Sequence, residues 1–317
     1  MIHCSFLPVF YEHHRCIKAS KPSPDFPDYM SVENIWLGFY GFGKFETYQF
    51  IYGQCTSITH LQEWMINLKG ENNIRESATA FERWAKQKAV DTDTTNTRSS
   101  LLSESQLQSW QQQGYLKVSD LVNDELCDAV CRLICARLGV DLNNAETWYN
   151  SHPDWHGLMV QVYQHESINA IKTLPAIQQL FAELYGTANI IPNTEKVSFN
   201  PPETDDWKFR HNKLHWDIDF NKTDRSYIQG LVYLNDVPEN RGSLTVVPGF
   251  HHQFEDWLKK YPDPHEAQQV MQHSFTGIPI PGKKGDIVLW LQTLPHAAST
   301  NFSNQPRFVQ YISFLRL

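Results

Sequence analysis

The residues best suited to chemistry are His215 and Asp217, in His215-Trp216-Asp217. On extended backbone, residues i and i+2 point to the same side. One imidazole and one carboxylate would then project into a shared space. Two histidines and a carboxylate are the ligand set of non-haem iron(II) oxygenases, and they leave other metal positions open. A His-x-Asp triplet is common by chance, so a third ligand has to come from elsewhere. His296, in Leu294-Pro295-His296-Ala297-Ala298-Ser299, is the candidate. Arg307 follows eleven residues later, after a turn-like stretch from Asn301 to Pro306. A hairpin of that length is expected to bring Arg307 beside His296. Its planar guanidinium suits bidentate binding of a carboxylate.

The elements that must hold these groups lie in a chain of 317 residues, long enough for a large domain with a smaller one. Hydrophobic residues make up 41% and charged residues 20%, which supports a sizeable core. The net charge of −8 speaks against nucleic acid or an anionic membrane as the main partner. No apolar run reaches the roughly 20 residues that span a bilayer. The first residues, broken by Pro8 and Glu12, make a poor signal peptide. Six cysteines without a disulfide-like framework suit a reducing cytoplasm.

Taken in order, residues 1–30 hold Pro8, Pro22, Pro24 and Pro27 and read as irregular. Aromatic residues crowd 36–52, and Leu61, Trp64, Met65 and Leu68 recur at helical spacing before Gly70. Phe81, Trp84 and Ala85 suggest one more helix. This region is a small, mostly helical unit whose aromatics form its core, or else a dimerisation or lid element. Residues 91–100 have almost nothing to bury and read as a linker. The boundary placed there divides the chain into 1–100 and 101–317.

Beyond it, Ser103-Glu104-Ser105-Gln106 has capping-box form, opening a helix that stops at Gly114. Asn123 caps a second helix, from Asp124 to Leu138, that Gly139 ends. Cys127, Cys131 and Cys135 form a stripe on it. Beside Val130, Ile134 and Leu138 they read as core packing rather than metal ligands. Residues 157–163 read as a strand, and Pro175 opens a helix ending at Gly186. From there the period turns to two, with strands expected over 195–199, 214–220, 227–234, 243–247, 286–291 and 308–314. A helix pair is expected within 253–273. Many strands separated by Pro, Gly, Asn and Asp turns favour a sandwich or jelly roll.

The stretch from about Leu101 onward resembles the phytanoyl-CoA dioxygenase family of Fe(II)/2-oxoglutarate oxygenases. The resemblance rests on His215-Trp216-Asp217, the strand 229–234, and Gly242-Ser243-Leu244-Thr245-Val246-Val247-Pro248-Gly249-Phe250-His251. It continues in Gly285-Asp286-Ile287-Val288-Leu289-Trp290, Leu294-Pro295-His296 and Pro306-Arg307-Phe308. Residues 1–100 carry none of it. It implies a double-stranded β-helix, with His215, Asp217 and His296 binding Fe(II) and Arg307 pairing with the far carboxylate of 2-oxoglutarate. O2 is then the oxidant, and succinate and CO2 leave as a substrate is oxidised. Related halogenases lack the carboxylate ligand, so Asp217 favours hydroxylation. Desaturation and ring formation remain open.

Other polar residues are candidates for the cosubstrate: Asn200 and Ser198, then Gln229, Ser299 and Tyr163. Asp219 shares the phase of His215 and Asp217, as an orienting residue or a solvated strand end. Trp216 should pack away from the ligands. His251 and His252 read as structural, and His13 and His14 as surface residues. The loops 147–157 and 201–213, mixing aromatic and charged residues, are expected to face a small or medium-sized substrate. Two other readings stand beside the oxygenase: a non-oxidative jelly-roll metalloenzyme, which has no use for Arg307, and a barrel that binds without turnover. A homodimer through the first hundred residues is also open.

Overall fold

The computed structural model describes residues 4–87, 100–210 and 213–317. The proposed linker, 91–100, lies outside them except for Ser100. The chain forms two compact units. One holds the described residues up to 87 together with 187–194 and 314–317, and the other holds 100–186 and 195–313.

In the first unit five helices follow one another: α1 (Phe6–Lys18), α2 (Tyr29–Tyr40), α3 (Lys44–Gly53), α4 (Ile58–Lys69) and α5 (Glu71–Lys86). Trp36, Phe10, Phe42, Leu61 and Phe81 fill their core. The prolines of the first thirty residues did not prevent a helix. Pro8 sits in the first turn of α1, where its missing N–H costs nothing, and the other three lie beyond its end. His14 is not at the surface: it is buried. Its Nε2 meets Glu33 Oε1 at 2.7 Å and its Nδ1 meets Tyr52 Oη at 2.6 Å. Tyr48 donates to the other Glu33 oxygen at 2.8 Å. Burial pushes the Glu33 carboxyl up, but these bonds and the nearby Lys44 charge outweigh it and hold it ionised. Helical periodicity cannot tell a solvated histidine from one matched to a buried acid on another helix.

The second unit begins with α6 (Glu104–Gln113), β1 (Tyr115–Val118) and α7 (Asp124–Leu138). Ser103 and Gln106 form the expected capping box, and Asn123 accepts from Leu126 N at 3.0 Å. Then come β2 (Trp155–His156), β3 (Met159–Val160), α8 (Glu166–Lys172) and α9 (Pro175–Tyr185). After β4 (Ile190–Pro192), which belongs to the first unit, follow β5 (Val197–Asn200), β6 (Ile228–Tyr233), β7 (Leu244–Val246), α10 (Phe254–Lys260) and α11 (Pro264–Ser274). The chain closes with β8 (Ile278–Ile280), β9 (Ile287–Leu291), β10 (His296–Ala298) and β11 (Arg307–Arg316).

Two antiparallel sheets result. The larger runs β1-β9-β6-β11-β5-β3-β2 and the smaller β10-β7-β8. This is the double-stranded β-helix. The cross-strand register gives the large sheet one face carrying Ser198, Asn200, Arg307, Val309, Tyr311, Gln229, Leu231, Tyr233, Val288 and Trp290. Leu231, Tyr233, Val288, Trp290 and Val309 share a core with Leu244, Val246 and Ala297 of the small sheet, so this face is the barrel interior. Tyr233 ties the sheets together, donating to Ile280 O at 2.7 Å and accepting from Leu244 N at 2.9 Å. Cys127 lies in the buried stripe of α7, and burial pushes the Cys127 and Cys135 thiols up to about 11. Both remain protonated at neutral pH, as packing residues do.

Two further expectations fail. Residues 214–220 form no strand, and β10 and β11 form no hairpin, because they belong to different sheets. The turn at 301–306 carries the chain from the small sheet to the large one. Spacing alone gives a turn's length but not which sheet its exit strand joins.

Removing Glu33 would take away the partner of the buried His14 Nε2 and of the Tyr48 hydroxyl. We expect Glu33→Ala to lower unfolding free energy by roughly 3–5 kcal/mol, the cost of breaking a buried pair. Urea denaturation followed by circular dichroism measures this, and a loss under about 1 kcal/mol would contradict the network's role.

Candidate metal centre

His215 is held by one isolated bridge rather than by a ladder. Its N donates to His296 O at 2.9 Å, and His296 N donates back to His215 O at 3.0 Å. The chain then leaves the sheet, and the Asp219 carboxylate accepts from Asn221 N at 3.0 Å. Asp219 therefore closes a local turn rather than orienting a ligand. Backbone alternation survives without the ladder. Trp216 turns inward, donates to Thr293 O at 3.0 Å and packs on Phe250 and Phe254. His215 and Asp217 turn the other way.

His296 stands on β10, and its side chain is only 5% exposed. Its Nε2 lies 3.3 Å from Asp217 Oδ2, and His215 Nε2 lies 3.7 Å from Asp217 Oδ1. One donor atom from each residue falls within 4.8 Å of the others. Among the described residues this is the one group of acid, histidine and cysteine side chains so arranged. The Nδ1 of His215 faces Lys213 O at 3.0 Å, and that of His296 faces Leu294 O at 3.1 Å. Such carbonyls suit a proton on Nδ1, which leaves Nε2 of each ring as the atom that could take a metal. Burial pushes the Asp217 carboxyl up. The His296 hydrogen bond, the charges of His296 and His215, and the Gln229 amide outweigh that and hold it well below the usual carboxylate range. Asp217 is thus an anionic donor throughout the neutral range.

Gln229, on β6, donates through Nε2 to Asp217 Oδ2 at 3.0 Å. It touches the ligand set rather than the distant end of the barrel. Arg307, on β11, is 1% exposed. It donates through Nη1 to Gly242 O at 2.5 Å and through Nη2 to Ser198 Oγ at 3.2 Å. Asn200 sits directly opposite it on β5. Four buried polar atoms on this interior face have no hydrogen-bond partner among the described residues: Arg307 Nε, Asn200 Oδ1, Gln229 Oε1 and Trp290 Nε1. Buried polar atoms are ordinarily satisfied. A cluster of unmatched ones along a single face is what a polar ligand seated between Arg307 and the triad would complete. The residues present therefore fit both a divalent metal and a dicarboxylate.

The remaining candidates lie elsewhere. The Ser299 hydroxyl pairs with Thr245 Oγ1 at 2.5 Å, and both line a cleft with Glu239, Asn240 and Gln272. Tyr163 donates to Gln161. His251 and His252 meet the carbonyls of Gln111 and Gln112. In the loops expected to face substrate, Trp155 stacks near Trp207 with centroids 6.2 Å apart and sits against Phe199. Phe199 points to the side of β5 opposite Ser198 and Asn200, so these aromatics pack outside the barrel. Residues 211–212 of that loop lie outside the described residues. Trp290 and Tyr233 were missed as site residues; each lies in a stretch that carries the family resemblance, and only their alternation phase could have marked them.

A double-stranded β-helix holding two histidines and one carboxylate defines a non-haem iron oxygenase scaffold. Residues 110–309 match the phytanoyl-CoA dioxygenase (PhyH) family, and the chain belongs to it. It is accordingly a 2-oxoglutarate-dependent, oxygenase-type enzyme whose cofactors are Fe(II) and 2-oxoglutarate. A Dictyostelium discoideum protein, provisionally named a phytanoyl-CoA dioxygenase, is 22% identical over 250 residues, covering 63% of this chain and 71% of its own. The fold is similar to SnoK, described as a non-heme alpha ketoglutarate dependent carbocyclase from nogalamycin biosynthesis. The TM-score is 0.52 at 18% identity, over 68% of this chain and 84% of that one. It is also similar to iron-bound EctD from S. alaskensis, with a TM-score of 0.52 at 16% identity, over 69% and 78% of the two chains.

Because Gln229 grips the oxygen that also faces His296, Gln229→Leu should weaken metal binding about 10–100-fold, as loss of a ligand's supporting bond typically does. Calorimetric titration with Mn(II) reads this directly, and an unchanged affinity would remove Gln229 from the site.

Proposed function

We propose that this protein hydroxylates a small or medium-sized organic substrate at the expense of 2-oxoglutarate and O2, releasing succinate and CO2. The activity is assigned to the second unit, with His215, Asp217 and His296 as the metal ligands. The observation that carries the reading is the convergence of two Nε2 atoms and a carboxylate, within 4.8 Å, in a barrel whose interior also buries Arg307. A non-oxidative metalloenzyme would have no use for that cation. A bound Fe(II) would supply the redox chemistry that couples 2-oxoglutarate decarboxylation to substrate oxidation.

The chain's own residues supply position and exclusion. Lys213 O and Leu294 O suit a proton on Nδ1 of the two imidazoles, and Gln229 holds one oxygen of Asp217. Arg307 offers a charge-assisted anchor for the far carboxylate of 2-oxoglutarate, with Ser198 and Asn200 alongside. Trp290, Tyr233 and Leu231 line the interior between the anchor and the ligands and keep water from it. The carboxylate ligand favours hydroxylation over halogenation, since no position is left for halide. Six free cysteines support a cytoplasmic location, and no helix among the described residues is long and apolar enough to cross a membrane.

The test is succinate release with Fe(II), O2 and a panel of candidate substrates, with products identified by mass spectrometry. No succinate with any substrate, together with no 2-oxoglutarate binding in the presence of metal, would end this reading. Asp217→Ala should abolish both turnover and metal binding, and retained turnover would remove it from the ligand set. Arg307→Leu should raise the Kd for 2-oxoglutarate about 10–150-fold, the equivalent of one charged hydrogen bond of roughly 1.5–3 kcal/mol. An unchanged Kd would refute the anchor.

A further inference from the structure

We propose that Gln229 and Trp290 together bind a hydroxyl group of the substrate, so that the molecule oxidised is an alcohol anchored beside the metal ligands. The inference rests on the oxygenase reading of this same site. The two residues stand directly opposite each other on β6 and β9. Opposed residues of antiparallel strands share a face, with Cβ atoms about 4.5–5.5 Å apart. Both side chains reach the triad. Gln229 Nε2 donates to Asp217 Oδ2 at 3.0 Å, and the Trp290 ring lies 5.2 Å, centroid to centroid, from that of His296. Trp290 is 2% exposed. Its Nε1 and the Gln229 Oε1 are both buried, and neither has a hydrogen-bond partner among the described residues. Chemistry sets the orientation of the amide. An ionised carboxylate only accepts, so Nε2 must face Asp217, and Oε1 is the atom left over.

One unmatched donor beside one unmatched acceptor defines what the pair takes. 2-Oxoglutarate does not complete it. Its carboxylates and keto oxygen only accept, so it has nothing to give Gln229 Oε1. Its far carboxylate belongs with Arg307, which lies opposite Asn200, whereas Gln229 lies opposite Ser313 towards the other end of β11. The neighbouring polar groups are committed: the Tyr233 hydroxyl to Ile280 O and Leu244 N, and Asp217 to Gln229 and the imidazoles. The missing donor is therefore assigned to the substrate. A hydroxyl is the smallest group that answers both atoms, giving its proton to Gln229 Oε1 and accepting from Trp290 Nε1 through the same oxygen. A carboxylate has no proton to give, and an ammonium has no lone pair for the indole N–H. A primary amide brings a second N–H, and the other unmatched buried acceptor of this face, Asn200 Oδ1, stands at the Arg307 end. An analogue without the hydroxyl leaves two buried polar atoms unpaired, which is what lets such a site reject it.

The test uses the full protein, loaded anaerobically with Fe(II) and 2-oxoglutarate and titrated calorimetrically with alcohols and their deoxy analogues. The pairs are methyl 3-hydroxybutanoate and methyl butanoate, N-acetylserinamide and N-acetylalaninamide, 4-(hydroxymethyl)benzamide and 4-methylbenzamide, and N-(2-hydroxyethyl)benzamide and N-ethylbenzamide. Wild type should bind the alcohol of at least one pair about tenfold or more tightly than its analogue. Trp290→Phe, which deletes the N–H and keeps a ring, should cut that preference to about threefold or less, with 2-oxoglutarate affinity and melting temperature unchanged. In wild type, the ultraviolet resonance Raman band that reports indole N–H bonding should shift as the preferred alcohol binds, and Trp290→Phe should lack that shift. Absence of any preference in wild type, including absence of binding by every alcohol, overturns the inference. So does a preference that survives in Trp290→Phe, or an indole band that does not move. If Trp290→Phe does not fold, the wild-type band decides alone. A Trp290→Phe protein that binds 2-oxoglutarate more weakly at unchanged melting temperature assigns the N–H to the cosubstrate and equally overturns the inference. If 2-oxoglutarate fails to bind metal-loaded wild type at all, the oxygenase reading itself falls, an outcome read before any alcohol is added.

Discussion

The backbone bridge between His215 and His296 is the constraint on which the site depends. Two hydrogen bonds, of 2.9 and 3.0 Å, hold a segment that has no other ladder contact against β10. Without them, nothing in the backbone would hold the half of the site carried by residues 215–217 against His296. With them, both imidazoles lie on the same side, and Asp217 closes the set two residues on. The inward turn of Trp216 reinforces the bridge, because its indole is buried against Phe250 and Phe254 and bonded to Thr293 O. One buried ring thus sets the phase of an extended segment that strand pairing does not.

From that point the electrostatics follow. Asp217 lies beside two imidazoles, accepts from the Gln229 amide and remains anionic. A facial metal set needs that, because a protonated carboxyl would offer no charge to a divalent ion. The opposite end of the interior is built for the reverse charge. Arg307 is almost wholly buried and its Nη atoms are held by Gly242 O and Ser198, which orients the fork before any ligand arrives. The large-sheet face runs from the cationic anchor Arg307 to Gln229, which meets Asp217 of the ligand set.

The first unit shows the same physics around Glu33. The acid Glu33 is buried in the helical unit with its carboxylate bonded to His14 and Tyr48, and His14 is in turn bonded to Tyr52. Each of its carboxylate oxygens meets a donor, which is what lets a charge persist in an aromatic core.

The sequence by itself determined the local elements and the chemical inventory. Caps at Ser103 and Asn123, stops at Gly114 and Gly139, and Pro175 at a helix start act over a single turn, so they were legible in order along the chain. The ligand types were legible too, because His-x-Asp, a later histidine and an arginine lie in stretches with a family likeness. Tertiary structure decided where these pieces meet. It placed β10 and β11 in different sheets, buried His14, turned Ser299 to Thr245 and Asp219 to a turn, and set Trp155 and Trp207 outside the barrel. Each of those outcomes depends on a partner far away in sequence. Periodicity says which side of a strand a residue faces, but only the register between strands says whether that side is the interior of the barrel.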